Sequence, residues 1–357
     1  MSFMINNRNI GRGHPVYIIA EMSANHDQNF EKAVKIIEAA KYAGADAVKA
    51  QTYTADTITL DCDNEYFRIN GTVWEGQNLY NLYQEALTPW EWLPRLQKVC
   101  NDLGMDFFSS PFDHTAVDFL EKMDVPLYKI ASFELVDIPL LKRIARTGKP
   151  IIMSTGMAAA DEIDEALQTI RAVGNDQIAL LKCTSAYPAP LEEMNLNTIP
   201  SFIKTYGVPV GLSDHTLGSV SVVAAVALGG SIVEKHLTLS RQDPGPDSAF
   251  STEPEEFKAM VDDIRAVEKA LGKATYDITE KQQENRVFRR SLFVVQDVKA
   301  GDLFSEANVR SIRPGHGLHT RYQEQVFGKK AVKDIKKGVP LSWELVEGAP
   351  QDQEKGL

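Results

Sequence analysis

The sequence predicts an α/β fold, a TIM (β/α)8 barrel followed by a small second domain, and three features lead to this prediction. A short apolar run rich in β-branched residues alternates eight times with an amphipathic helical stretch. The chain has 357 residues, more than the roughly 250 that a barrel alone requires. After residue 272 the alternation ends, and a short unit then occurs twice.

The eight predicted strands are continuous apolar runs, as expected for parallel strands that helices cover on both sides. In chain order they begin at Val16, Ala47, Met105, Leu127, Pro150, Ile178, Pro209 and Ser231. A doubly wound open sheet is the alternative. It would need a Gly-rich nucleotide-binding turn, and the sequence shows none.

The predicted helices between the strands have apolar residues at positions i, i+3, i+4 and i+7, and a glycine where they end. The clearest cases are residues 30–44 (FEKAVKIIEAAKYAG), 161–174 and 255–272. Helices that alternate with parallel strands cover the outside of a barrel.

The interval from Tyr53 to Thr88 interrupts the alternation, because it is far longer than a usual strand-to-helix connection. Long ordered loops at the carboxyl mouth of a barrel usually carry function. The interval contains five large aromatic residues, Tyr66, Phe67, Trp74, Tyr80 and Tyr83. Two interpretations remain open: these rings pack the loop onto the barrel, or they contact a substrate.

The predicted domain boundaries are a barrel over residues 1–275, a polar linker over 276–290 and a small domain over 291–350. Within the small domain, residues 295–309 match residues 332–346 at the valines and at Asp, Lys, Gly and Ser. Neither copy is long enough to bury a core alone, so the repeat predicts one compact pseudo-twofold module. A module of about 60 residues is small for independent stability, and we expect it to lean on its own barrel or a partner's.

Composition excludes several classes of function. The net charge is −11 and no basic cluster occurs, which argues against nucleic acid or an anionic membrane as a partner. No run reaches the roughly 18 apolar residues of a membrane span, and the N-terminus lacks a signal-peptide core. The three widely spaced cysteines form no CxxC pattern and fit a reducing compartment. We therefore expect a cytoplasmic protein.

Chemically able side chains follow every predicted strand, at the end of the barrel where active sites are built. They are Glu21, Asn25 and His26; Lys49 and Gln51; Ser109 and Ser110; Lys129, Ser132 and Glu134; Ser154 and Thr155; Thr184, Ser185 and Tyr187; Ser213 and His215; Glu234 and His236. Two inward lysines with a ring of hydroxyls favour a dianionic ligand that carries a phosphate and a carboxylate.

Two of these residue types leave alternatives open. A lysine at the mouth of the barrel could instead form a Schiff base. His215 and His236 each end an apolar run on neighbouring strands, which suits a divalent metal held by neutral imidazoles. A histidine satisfied within the core is the alternative for either one considered alone.

The motifs AEMSANH, VKAQT, SSPFD, YKIASFE, STGM, CTSAYP, GLSDHT, EKHLT and DPGPD, with IRPGHG near the C-terminus, resemble the sialic acid synthase family, the phosphoenolpyruvate-dependent nonulosonate synthases. The resemblance covers nearly the whole chain. It implies a TIM barrel followed by an antifreeze-like (SAF) β-rich domain, in a homodimer whose small domain caps the partner's barrel. The implied reaction condenses phosphoenolpyruvate with an amino-sugar aldehyde and releases phosphate.

Residues 71–92 (GTVWEGQNLYNLYQEALTPWEW) resemble the pseudaminic acid synthase branch of that family. The sugar of that branch is 2,4-diacetamido-2,4,6-trideoxy-L-altrose. An N-acetylneuraminate or legionaminate synthase of the same mechanism is the alternative. A metal-dependent octulosonate-type synthase and a Schiff-base aldolase are more remote alternatives.

The resemblance also implies roles for individual residues. The catalytic residues would be Glu21, Lys129, His215 and His236, and the two histidines would bind a divalent metal, Mn, Mg or Co. Phosphoenolpyruvate would be held by Lys49, Ser110, Lys129, Ser132, Ser154, Ser185 and Ser213. The sugar would contact Glu21, Gln51, Glu134, Tyr187, Asp247 and, from the partner subunit, Arg313. The sialic acid synthases carry Thr where Ser110 stands, which keeps a hydroxyl, and Asn where Ser185 stands, which puts that contact in doubt.

Overall fold

The structure, a computed structural model, describes residues 2–71 and 74–349. Two residues of the branch-like segment 71–92, Thr72 and Val73, lie outside the described residues, as does residue 350, the predicted end of the small domain. The chain divides into two compact units between Gly272 and Lys273.

Eight parallel strands close the barrel of the first unit, with the last strand paired to the first. They are β3 (Tyr17–Glu21), β4 (Ala47–Thr52), β5 (Asp106–Pro111), β6 (Tyr128–Ile130), β7 (Ile151–Ser154), β8 (Ile178–Cys183), β9 (Val210–Asp214) and β10 (Ile232–His236). All eight coincide with the predicted apolar runs, so the predicted fold class is confirmed.

The helices of the first unit surround the barrel or lie in its connections. They are α1 (Phe30–Ala43), α2 (Ala55–Ile58), α3 (Leu79–Ala86), α4 (Leu93–Asp102), α5 (His114–Lys122), α6 (Ile138–Ala145), α7 (Ala160–Arg171), α8 (Thr198–Tyr206), α9 (Val220–Ala227) and α10 (Pro254–Leu271). Helix α1 shows how the sequence defines their ends. The Asn29 side chain accepts a hydrogen bond from the Lys32 amide, and Gly44 ends the helix with a φ of 87°, a conformation that glycine adopts without strain.

Alternation along the strands separates two cores. Outward residues such as Ile18 and Val48 pack under the helices. Inward residues such as Ile19, Phe108 and Ile152 fill the barrel interior. The side chains that follow them on the inner face, toward the carboxyl ends, are polar, because successive side chains of a strand point to opposite faces.

An N-terminal hairpin was not predicted. Strands β1 (Ser2–Ile5) and β2 (Arg8–Gly11) pair antiparallel across Asn6 and Asn7. Their buried side chains, Phe3, Ile5 and Ile10, belong to the same cluster as the inward residues of the barrel. The two-residue turn Asn6–Asn7 suits a hairpin because asparagine tolerates a positive φ, and Asn6 has a φ of 48°. The hairpin supplies part of the barrel core.

The second unit has its own core and pairs the two copies of its repeat. It contains β11 (Ser291–Val294), β12 (Val309–Ile312), α11 (Glu280–Asn285) and α12 (Gln323–Val326). Val298 and Ile335 occupy equivalent positions in the two copies and exchange backbone hydrogen bonds of 2.9 and 2.8 Å. Two equivalent ion pairs repeat this relation, Lys299 with Asp334 and Lys336 with Asp297. The module therefore has the pseudo-twofold arrangement that the repeat predicts.

Within the described ranges 2–71 and 74–349, no helix is both long and apolar enough to cross a membrane.

Candidate active site

The inward polar residues meet in a cavity of about 490 Å³ at the carboxyl ends of the barrel strands. Twelve of the residues predicted for the site line this cavity: Glu21, Lys49, Gln51, Lys129, Ser132, Glu134, Ser154, Tyr187, Ser213, His215, His236 and Asp247. We call the buried charged and histidine residues at the strand ends, Glu21, Lys49, Lys129, Glu234, His215 and His236, the ionic floor.

Two lysines of the ionic floor share one carboxylate. Lys49 Nζ lies 2.9 Å from Glu21 Oε2 and 3.3 Å from Glu234 Oε1. Lys129 Nζ lies 3.6 Å from the same Glu234 oxygen and donates a hydrogen bond of 2.7 Å to Ser154 Oγ. All four charged side chains are buried. A bound anion would therefore compete with Glu21 and Glu234 for the ammonium groups of Lys49 and Lys129, which are buried away from water.

The surroundings of Glu21 and Glu234 shift the pKa values of these two carboxyls in opposite directions. Burial raises the pKa of Glu21, and the charge of Glu234 adds to the rise although Lys49 opposes it. Burial also opposes ionisation of Glu234, but Lys129 and Lys49 outweigh it and lower the pKa of that carboxyl. Two carboxyls whose environments separate their pKa values can serve as proton donor and as fixed charge. Of the two, Glu21 is the carboxyl whose surroundings favour the protonated form.

The lysines also differ. Burial would lower the pKa of Lys49, but Glu21 and Glu234 raise it overall. Burial lowers the pKa of Lys129, although Glu234 opposes this effect. Lys129 is thus the lysine more easily converted to a free amine, which is the property that a Schiff-base former needs.

The two predicted histidines are neighbours in the cavity, with ring centroids 5.4 Å apart and ring planes inclined at 62°. Their strands approach closely because Gly211 has no side chain; a Cβ there would lie 2.1 Å from the Ile232 carbonyl oxygen. His215 Nδ1 lies 3.0 Å from the Thr184 carbonyl oxygen, so it carries the proton and leaves Nε2 as the lone-pair nitrogen. His236 Nδ1 is buried without a hydrogen-bond partner.

These observations fit a metal held by two imidazoles. Burial lowers the pKa of His236, and the nearby His215, Lys49 and Lys129 lower it further, so its ring is neutral, as a ligand must be. Burial would also lower the pKa of His215, but Cys183 and Thr184 raise it overall, so a metal at this ring would have to compete with a proton. Across residues 2–71 and 74–349, no group of three or more His, Cys, Asp or Glu side chains could hold a metal. Other ligands would have to come from water or substrate.

Cys183 lines the cavity although the sequence analysis gave it no role. Its Sγ lies 3.9 Å from His215 Nδ1. Burial alone would raise the pKa of Cys183, but His215, Ser132 and Lys129 lower it to about 7. Counting alternate residues inward along β8, from Leu181 to Cys183, would have found it.

The predicted sugar contacts surround the ionic floor. Gln51 Nε2 donates hydrogen bonds of 3.0 Å to both Glu21 and Ser23, and Ser23 donates to Asp247. The Tyr187 ring lies 4.4 Å from that of His215, measured between centroids. These side chains therefore make the part of the cavity beside the ionic floor polar.

Glu134 is a further acidic residue that lines the cavity. Burial raises its pKa to about 7, although Lys129 and Lys49 oppose the rise, and its Oε2 has no hydrogen-bond partner. Its charge also influences Tyr83, whose pKa burial raises. Glu134 therefore changes between hydrogen-bond donor and acceptor near neutral pH.

The long interval between Tyr53 and Thr88 supplies much of the remaining lining of the cavity. Five aliphatic residues from it line the cavity, Ile58, Ile69, Leu79, Leu82 and Ala86, and we call them the aliphatic wall. Of the five aromatic residues noted in the interval, Trp74 and Tyr83 also line the cavity, whereas Tyr66 is 81% exposed and the Tyr80 hydroxyl donates to Asp56. Trp74 and Tyr83 therefore lie where a ligand in the cavity would meet them, and substrate contact by these two rings stays a prediction.

Several predicted residues lie elsewhere. Neither Ser110 nor Ser185 is among the described residues that line the cavity. Ser110 Oγ is buried without a hydrogen-bond partner, and Ser185 Oγ packs against Gly156, where a Cβ would lie 2.2 Å from it. Arg313 belongs to the second unit. Its contact with the sugar stays a prediction.

Asn25 and His26 follow the first barrel strand, but they are not among the described residues that line the cavity. Asn25 donates to the Leu237 carbonyl oxygen and to Ser251, and His26 Nε2 lies 3.0 Å from Thr88 Oγ1. Burial lowers the pKa of His26 to about 4. These side chains fix the loops around the mouth of the barrel.

Comparison with known proteins adds to this geometry. The chain matches the NeuB family over residues 36–276 and the SAF domain over residues 289–347. It is 47% identical over 333 residues to the pseudaminic acid synthase of Campylobacter jejuni, covering 93% of this chain and 97% of that protein. It is 44% identical over 334 residues to the pseudaminic acid synthase of Helicobacter pylori, covering 93% and 98%. Among solved structures, the N-acetylneuraminic acid synthetase of Leptospira borgpetersenii aligns with a TM-score of 0.72 at 30% identity, covering 80% of this chain and 95% of that one.

Proposed function

Since the chain belongs to the NeuB family of enzymes and ends in a SAF domain, we propose that it catalyses the pseudaminic acid synthase reaction. In this reaction phosphoenolpyruvate condenses with 2,4-diacetamido-2,4,6-trideoxy-L-altrose to give pseudaminic acid and phosphate. The observation that carries the proposal is the pair of buried lysines sharing Glu234 beside two histidines, in a chain similar to pseudaminic acid synthases over most of its length.

The ionic floor suits phosphoenolpyruvate because this ligand carries a phosphate and a carboxylate. Lys49 and Lys129 supply two fixed positive charges, and Ser132, Ser154 and Ser213 supply hydroxyls in the same cavity. When Glu21 takes up a proton, one negative charge leaves the floor, and the lysines gain net attraction for the dianion. Anion binding and protonation of Glu21 are therefore coupled.

The first chemical step forms the carbon–carbon bond. The electron pair of the C2–C3 double bond of phosphoenolpyruvate attacks the aldehyde carbon, and the aldehyde oxygen takes up a proton. Glu21, with its raised pKa, is placed to donate that proton. C2 is left as an oxocarbenium cation, which the nearby carboxylate of Glu234 stabilises.

The second step releases phosphate. Water adds to C2 and gives a proton to Glu21, which is now ionised and acts as a base. The bond between C2 and the phosphate oxygen then breaks, and the remaining hydroxyl at C2 gives its proton to the departing phosphate as the keto group forms. Lys49 and Lys129 stabilise the departing phosphate. Bonds and protons balance without an oxidant or reductant.

We propose His215 and His236 as the residues that hold a divalent metal, Mn, Mg or Co. When bound, such an ion polarises an aldehyde oxygen as a Lewis acid. Mixed imidazole and oxygen sites accept several divalent ions. The lone-pair Nε2 of His215 and the unpartnered Nδ1 of His236 support the assignment.

One observation favours a second candidate, the Schiff-base aldolase: burial lowers the pKa of Lys129. Three contacts weigh against it, since Lys129 Nζ is already engaged by Ser154, the Ile130 carbonyl oxygen and Glu234. Borohydride added with substrate separates the two. Condensation leaves Lys129 unmodified, whereas an aldolase would yield a reduced covalent adduct on it.

We further propose a cytoplasmic homodimer in which the small domain supplies Arg313 to the partner's barrel. The three cysteines are free, which fits a reducing compartment. Mixing Arg313→Ala subunits with His215→Ala subunits should restore about a quarter of the wild-type sites, because half of the dimers are mixed and one of their two sites is complete. An Arg310→Ala subunit serves as control and should be active alone. No rescue after confirmed subunit exchange contradicts the swapped arrangement.

Phosphate release tests the reaction and the sugar together. The protein is assayed with phosphoenolpyruvate and, separately, with the precursor sugars of pseudaminic, legionaminic and N-acetylneuraminic acid. We expect the highest kcat/KM with 2,4-diacetamido-2,4,6-trideoxy-L-altrose. Preference for another of the three sugars would keep the reaction and reject the substrate. Folded protein that releases no phosphate with any of them would reject the proposed function.

A further inference from the structure

Part of the aliphatic wall is the apolar face of an amphipathic helix, which lines the cavity instead of packing against a protein core. Helix α3 directs Leu79, Leu82, Tyr83 and Ala86 toward the cavity, positions i, i+3, i+4 and i+7 of one helical face. Such a stripe normally packs against a protein core. Here it borders the space where a ligand binds.

The segment around the rest of the wall is held in place by hydrogen bonds to backbone carbonyl oxygens. Ile69 donates a backbone hydrogen bond of 2.9 Å to Gln77, and the Asn78 side chain donates to the Cys62 carbonyl oxygen at 2.7 Å. Trp74 Nε1 donates to the Pro246 carbonyl oxygen at 3.0 Å. The wall is therefore formed before a ligand arrives, and its shape can discriminate between ligands.

The wall and the ionic floor differ in charge. Of the described residues that line the cavity, the lysines are Lys49 and Lys129, and both are paired with carboxylates of the floor. The five wall residues offer carbon atoms only. A hydroxyl or a phosphate placed against them would lose its hydrogen bonds to water without replacement.

We propose that the aliphatic wall binds the methyl group at C6 of the sugar and selects against sugars with a hydroxyl or phosphate there. The inference rests on the proposed function, which places the aldehyde carbon, C1, at the ionic floor. The far end of the same chain, C6, then meets the side of the cavity formed by the long interval. The wall selects 6-deoxy sugars as a class, and the polar residues around the floor distinguish their stereochemistry.

The expected discrimination is moderate. A hydrophobic pocket rejects an analogue that adds one hydroxyl by roughly 100-fold, and one methylene changes kcat/KM by about 10- to 200-fold. We therefore expect the protein to prefer 2,4-diacetamido-2,4,6-trideoxy-L-altrose over its 6-hydroxy counterpart by about 10- to 100-fold in kcat/KM.

The test introduces a polar side chain into the wall. Leu79→Asn and, independently, Ile58→Asn should each reduce the preference for the methyl sugar at least about tenfold, mainly by raising its KM. The KM for phosphoenolpyruvate should not change. The matched control is Leu60→Asn, in the same interval but 61% exposed and outside the wall, which should keep the wild-type preference. Leu79→Met keeps an apolar surface and should keep it as well.

The outcomes separate the wall from the reaction. Turnover of both sugars at equal kcat/KM by the wild type, or an unchanged preference in both Asn variants, would overturn the role of the wall and leave the synthase reaction intact. Absence of phosphate release with every precursor sugar would overturn the reaction, and the wall assignment with it. Circular dichroism and thermal melting establish that each variant is folded; if Leu79→Asn unfolds, Ile58→Asn decides.

Discussion

The ionic floor and the aliphatic wall enclose one cavity but arise from different parts of the chain. The floor consists of residues at the ends of barrel strands, where the register of neighbouring strands fixes each side chain. The wall comes from a single long connection between strand β4 and helix α4. The floor therefore determines which reaction is possible. The wall can vary with little effect on the barrel, and so determines which substrate reacts.

The largest effect is expected at the floor, from loss of a histidine. His236→Ala or His215→Ala should lower kcat/KM about a thousandfold or more, because several kcal/mol of charge stabilisation by the metal are lost. A chelator should silence the wild type. His114→Ala, at an exposed position on α5, is the control and should be fully active. Full activity after exhaustive chelation would remove the metal from the mechanism.

A smaller effect is expected from Lys129. Lys129→Met should raise the KM for phosphoenolpyruvate roughly 10- to 100-fold, as expected for a lost charged hydrogen bond. It should also lower the free energy of unfolding by about 3–5 kcal/mol, because Glu234 loses a buried partner. Lys129→Arg should keep partial affinity.

Lys98→Met provides the comparison for Lys129. Lys98 is 74% exposed and pairs with Asp102 on the same helix, so its loss should change stability by less than about 0.5 kcal/mol. Equal effects of the two substitutions would show that the buried lysine network has no special part in binding or stability.

The smallest effect concerns Glu134, which lies between the two regions. Its pKa is raised from 4.5 to about 7 by burial, with Lys129 and Lys49 opposing and Asp137 adding to the rise. The folded protein thus favours the protonated carboxyl of Glu134. Protonation of this carboxyl contributes fully to the free energy of unfolding below pH 4.5, and the contribution is lost as the pH rises to about 7. In Glu134→Gln the melting temperature should fall less between pH 5 and pH 8 than in the wild type. An unchanged difference would contradict the raised pKa, and exposed Glu91→Gln is the control.

The sequence predicted the floor better than the wall for a physical reason. Strands have a period of two, so apolar runs that end in Lys, Glu or His place those side chains at the barrel mouth once the fold is known. Glu21, Lys49, Lys129 and His236 were found in this way. Cys183 follows the same period from Leu181, but the spacing of the three cysteines along the chain gives no sign of this position.

The wall could not be predicted because its helix has no special pattern. Leu79, Leu82 and Ala86 form an ordinary amphipathic stripe, and nothing in such a stripe says whether it faces a core or a ligand. Ser110 follows the inward Phe108 by two residues on β5 and therefore points into the barrel, although it is not among the described residues that line the cavity. Ser185 lies beyond the end of β8, where the period of the strand no longer fixes the direction of a side chain.

The fate of one oxygen atom tests the proposed reaction at the floor. Phosphoenolpyruvate is prepared with heavy oxygen at the atom that joins C2 to phosphorus, and is turned over with 2,4-diacetamido-2,4,6-trideoxy-L-altrose. Capture of a C2 cation by water followed by carbon–oxygen cleavage predicts that mass spectrometry finds the label in the released phosphate. Label retained at C2 of the sugar acid would mean that the phosphorus–oxygen bond breaks instead, and would contradict the reaction proposed for the ionic floor.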